Sequence, residues 1–72
     1  MNTYQHYLRD LVSILKQKLI EAKQNQTDGD EFQKGVTMGL YDSLDTIKTQ
    51  AIAFQIPLHE LGLNDFEPAN FL

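Results

Sequence analysis

Apolar residues along the chain fall into two long stripes with helical spacing, separated by a polar run. In the first, Tyr4, Leu8, Leu11, Leu15, Leu19 and Ala22 recur at intervals of three and four, and Tyr7, Val12 and Ile14 widen the stripe. At about 100° per residue these positions cover an arc of roughly 160°, broader than the seam that one partner helix fills. The pattern predicts a helix over about residues 3–25, capped by Thr3, that touches more than one neighbour. It fades in "KQNQTDGD", where Asp28, Gly29 and Asp30 join a turn glycine to two capping carboxylates.

The second stripe is Phe32, Val36, Leu40, Leu44, Ile47, Ala51 and Phe54, predicting a helix over about residues 31–55. Pro57 disfavours α conformation at Ile56 and should stop it. The connection over about residues 26–30 is short, so the two helices form an antiparallel hairpin.

Within "KGVTMGLYDSLDTI", Gly35, Gly39 and Ser43 form a row of small residues beside Val36 and Leu40. Each glycine inside a helix costs about 1 kcal/mol relative to alanine. The expected compensation is close backbone packing, by one of two routes. In one, the row faces the first helix, with Gly35 beside Ile20, Gly39 beside Leu15 and Lys16, and Ser43 beside Val12. In the other, it faces its own copy across a dimer axis.

Met38, Tyr41, Ile52 and Ile56 add apolar residues to the far side of the second helix, more than a lone hairpin can bury. The segment "IPLHELGLNDFEPANFL" is the expected cover. Pro57 suits the first turn of a short helix and Gly62 its stop, with the tail continuing over residues 57–72. Leu61, Leu63, Phe66, Phe71 and Leu72 are its apolar anchors, and the same residues make it a candidate partner-docking peptide.

A chain of 72 residues makes one domain. A core this small contributes only about 3 to 5 kcal/mol unless a disulfide, a metal or a second subunit adds to it. Cysteine is absent, which removes the disulfide and thiolate options and agrees with a reducing cytoplasm. No apolar run reaches the roughly 18 residues of a membrane span. The expected architecture is an all-α antiparallel hairpin with a short C-terminal helix and tail, dimerising into a four-helix bundle. Leu8, Leu11, Leu15, Leu40, Leu44 and Ile47 join the small-residue row as candidate helix-packing or dimer-interface positions.

Charge modifies this picture slightly. The net charge is −4, but residues 1–27 carry Arg9, Lys16, Lys18 and Lys23 against two acids, whereas residues 28–72 carry Lys34 and Lys48 against eight. The two parts should attract each other. Arg9, Lys16 and Lys23 recur every seven residues along one border of the first helix, a candidate nucleic-acid contact. In size and topology the expected dimer is similar to the plasmid copy-number control proteins, acidic helical-hairpin dimers that bind paired RNA loops, though no motif is shared. The competing reading is that these three side chains flank the bundle and cover its core with their stems.

Catalytic and cofactor chemistry find little support. His6 and His59 lie in different segments without metal-ligand spacing, and Asp42 and Asp45 lack the Glu-x-x-His pattern of bundle metal sites. Ser13 and Ser43 have no nucleophile elbow. A helix-turn-helix reading of residues 49–63 fails because Gln55 stands where a turn glycine is common and the segment after it carries His59 and Glu60 but no Arg or Lys for phosphate. The sequence therefore points to a small cytoplasmic interaction or regulatory protein acting as a homodimer on an unidentified protein partner, with no catalytic, cofactor or metal residues assigned. The alternatives are a nucleic-acid-binding hairpin dimer and a metal or enzymatic site built across subunits.

Overall fold

The computed structural model describes residues 2–72, and among them all regular structure is helical. Helix α1 runs Thr3–Asn25. Its cap is Asn2 rather than the expected Thr3: the Asn2 side chain accepts from the Gln5 backbone N–H at 2.9 Å, and the Gln5 side chain accepts in return from the Asn2 N–H at 2.8 Å. This reciprocal pair satisfies two otherwise orphaned donors, which a threonine already inside the first turn does not.

The turn carries Gly29 at φ +83°, and Asp30 then caps α2, Glu31–Ala53, by accepting from the Gln33 N–H at 3.1 Å. Helix α2 stops two residues before the expected Gln55. The Gln55 N–H bonds the Ile52 carbonyl and the Ile56 N–H bonds that of Ala51, so Gln55 occupies the left-handed position of a Schellman turn.

The turn is repeated seven residues on. A single 3-10 turn, Leu58–Leu61, replaces the expected short α-helix and closes through Gly62 N–H to His59 and Leu63 N–H to Leu58. The left-handed residue here is Gly62, which bears that conformation without a Cβ clash. A last 3-10 turn, Pro68–Phe71, is capped by Glu67.

These two reversals lay the tail along the groove between α1 and α2. Val12 and Leu19 from α1, Leu44 and Ala51 from α2, and Leu61 and Leu63 from the tail form one buried cluster. A fully buried leucine contributes about 1.5 to 3 kcal/mol. The line of burial on α2 takes Leu44 and Ala51 from the expected stripe and adds Thr37, while the edge of that stripe through Phe32, Val36 and Phe54 is exposed. Buried Thr37 is accommodated because its hydroxyl donates to the Gln33 carbonyl at 3.0 Å. Of the four far-side residues of α2 that the tail was expected to cover, Tyr41 and Ile56 are half-buried and Met38 and Ile52 stay exposed.

Candidate functional site

The hairpin has two faces of different construction. On the covered face, the tail approaches as irregular backbone whose carbonyls need donors. Lysines supply them. Lys16 Nζ donates to the Gly62 carbonyl at 2.7 Å and lies 4.9 Å from the centre of the Phe66 ring. Lys23 Nζ donates to the Leu72 carbonyl at 3.0 Å. Lys48 Nζ, from α2, contacts the Phe66 carbonyl at 3.5 Å and the Glu67 carboxylate at 3.2 Å. Lys48 and the Ala69 N–H together hold the Glu67 carboxyl below its ordinary pKa. Phe66 and Phe71 stack at 5.3 Å beneath these contacts.

This arrangement changes the reading of the basic row. Lys16 and Lys23 are half-buried and turned onto the tail, while exposed Arg9 lies beyond it, beside His6, Asp10 and Ser13. The three side chains do not form one track. Two of them, Lys16 and Lys23, instead reach tail carbonyls ten residues apart, those of Gly62 and Leu72.

The tail anchors have a structural place. Leu61 and Leu63 are core residues, Phe66 and Phe71 pack against the core, and only Leu72 is largely exposed. In this fold the tail packs on the core as an internal cover.

The opposite face is open. At about 100° per residue, Tyr4, Tyr7, Leu11 and Ile14 lie on the flank of α1 away from the lysines. On α2 the corresponding flank carries Phe32, Val36, Leu40, Ser43, Ile47 and Phe54. Because the helices are antiparallel, the two flanks fall on the same side of the hairpin. Seven of its apolar residues, Tyr4, Tyr7, Leu8, Ile14, Phe32, Val36 and Phe54, are solvent-exposed. The interface candidates thus divide: Leu44 is buried within the chain, Leu11, Leu15, Leu40 and Ile47 are half-buried at its edge, and Leu8 is exposed.

Gly35, Gly39 and Ser43 also belong to this open side. A Cβ added at Gly35 or Gly39 meets no atom within 4 Å, so neither glycine packs against α1 as the first route required. Ser43 donates to the Gly39 carbonyl at 2.8 Å and faces outward.

The dimensions fit an unfilled side. The molecule measures 43 × 21 × 17 Å with a radius of gyration of 13.0 Å, where a compact chain of this length has about 11 Å. Its accessible surface is 5057 Å², against about 4,600 Å² for a compact monomer of its mass.

At one end of the open face, Leu8, Ile47, Gln50, Phe54 and Ile56 surround an apolar cleft of about 250 Å³. Periodicity alone did not reveal this cleft, because Ile56 reaches it only through the turn at Gln55. Lys48 and Glu67, 19 residues apart, likewise left no local signal in the sequence. Among the described residues no three His, Asp or Glu side chains converge as a metal site, and no helix is long and apolar enough to cross a membrane. Comparison with protein families, curated proteins and solved structures gives no match for this chain.

Proposed function

We propose that this chain is a small non-enzymatic interaction or regulatory module of the cytoplasm that acts as a homodimer, pairing two hairpins into a four-helix bundle. The observation that carries the reading is the open apolar face, built from both helices and left uncovered by the chain's own tail. Exposed apolar patches of this kind mark association surfaces. Covering the face with a second hairpin adds the burial that a core of this size lacks. The lysines reinforce the assignment by omission: the three that contact the tail stand on the covered face, where they are unavailable to an anionic partner.

Light scattering over a dilution series tests this reading. The expected result is a dimer at high concentration that moves toward the 8.3 kDa monomer on dilution. Val36→Asp, which puts a charge on the open face without entering the core, should hold the protein at monomer mass. A wild-type chain that stays monomeric at every concentration would contradict the proposal.

A further inference from the structure

The open face carries a protruding side chain at one end of α2 and a hole at the other. Phe32, in the first turn, is 77% exposed. The apolar cleft of about 250 Å³ lies at the opposite end, between Ile47, Gln50 and Phe54 of α2 and Leu8 of α1. A cavity of about 150 Å³ accepts a benzene ring, so the cleft has room for a phenylalanine side chain. Within one molecule the two cannot meet: at about 1.5 Å per residue they stand roughly 30 Å apart along the helix.

A two-fold axis brings them together. Ser43 lies midway in sequence between Phe32 and Phe54. Rotation about an axis at Ser43, with α2 antiparallel to its copy, sets Phe32 against the end of the other helix that holds the cleft. We propose that the occupant of the open face is a second copy in this register, with each Phe32 seated in the other subunit's cleft. The proposal rests on the homodimer reading and adds its geometry.

Three further observations support the register. Gly39 and Ser43 sit at the midpoint, where a Cβ at Gly39 meets nothing within 4 Å; small residues there let two helices approach closely. No charged residue falls on this flank of α2, so the two α2 helices of chains with net charge −4 meet without like charges between them, and exposed Lys18 lies on the α1 flank. The aromatic side chains alone supply about three quarters of the area that a standard interface takes from each partner. With about 200 Å² per aromatic side chain, Tyr4, Tyr7, Phe32 and Phe54 leave on the order of 600 Å² in water, compared with the roughly 800 Å² that each partner contributes to a standard interface.

The choice of a helical occupant follows from the same chemistry that holds the tail. A helix satisfies its own backbone and needs no donors from the surface it docks on. The α2 flank offers no charged donors.

The absence of cysteine makes a direct test simple. Ser43→Cys should form a disulfide-linked dimer on mild oxidation, since only residues at the axis come within the roughly 7 Å between Cα atoms that a disulfide spans. Thr49→Cys, exposed on the outer side of α2, should form no disulfide-linked dimer under the same conditions. Phe32→Ala should raise the dimer Kd at least tenfold, measured by sedimentation, with an unchanged monomer unfolding transition. Failure of the Ser43 cross-link or an unchanged Phe32→Ala Kd, in a wild-type protein that does dimerise, overturns this geometry and leaves the homodimer standing. A monomeric wild type overturns both.

Discussion

The two sides of the hairpin expose similar apolar chemistry to very different neighbours. The covered side has Val12, Leu19 and Leu44 edged by Lys16, Lys23 and Lys48; the α2 flank of the open side has Val36, Leu40 and Ile47 edged by glycine, serine and aromatic rings. The difference lies in the donors. An irregular tail can stay on a surface only if its carbonyls are met, and the lysines meet them. The α2 flank, without such donors, suits an element that needs none. Hydrophobic periodicity therefore says that a face will be covered, while the polar residues at its edge say by what kind of backbone.

The sharpest way to break this contrast is to remove one large side chain from each side. Leu63→Ala leaves a cavity in the fully buried cluster and should cost about 2 to 5 kcal/mol in urea denaturation, most of the stability of so small a domain. Phe54→Ala on the open side should change monomer stability by no more than about 0.5 kcal/mol. Equal losses would mean that the sides are not distinct.

A smaller effect comes from the hinge. Gln55 holds φ +59°, the conformation that Gly62 holds in the equivalent turn without a Cβ. Gln55→Gly should stabilise the monomer by up to about 1 kcal/mol, because the left-handed cost outweighs glycine's greater entropy in the unfolded chain. A lower melting temperature would show that the turn gains something else from glutamine.

The smallest expected effect is one of pH. Lys48 and the Ala69 N–H lower the pKa of Glu67 in the folded chain, so this clamp contributes fully above the ordinary glutamate value and is lost as the pH falls through the lowered one. Because Glu67 is exposed, solvent screens the contribution and it is modest. The stability difference between wild type and Glu67→Gln should shrink on acidification; a difference that grows would contradict the sign.

The hairpin was legible in the sequence because its signals are local: two stripes of period 3.6, a turn at Asp28 to Asp30, and a break before Pro57. The burial of Thr37 and the exposure of Phe32, Val36 and Phe54 were not. An arc of roughly 160° is wider than any one contact, and periodicity cannot say which part of it a later segment will cover. Lys16 and Lys23 show the same limit. Their spacing was visible, but their partners are carbonyls more than forty residues away, which carry no side-chain signature. The glycine row was expected to pack closely, and the structure turns it outward, away from α1.

One measurement addresses both sides at once: methyl NMR with a soluble paramagnetic probe, at low and high protein concentration. The methyls of Leu19, Leu44, Leu61 and Leu63 should stay shielded throughout. Those of Ile14, Val36 and Leu40 should be bleached in dilute solution and become shielded as the concentration rises. Bleaching of Leu61 and Leu63 to the level of Val36 would contradict the tail as a built-in cover, and an open side bleached equally at every concentration would contradict the second copy as its partner.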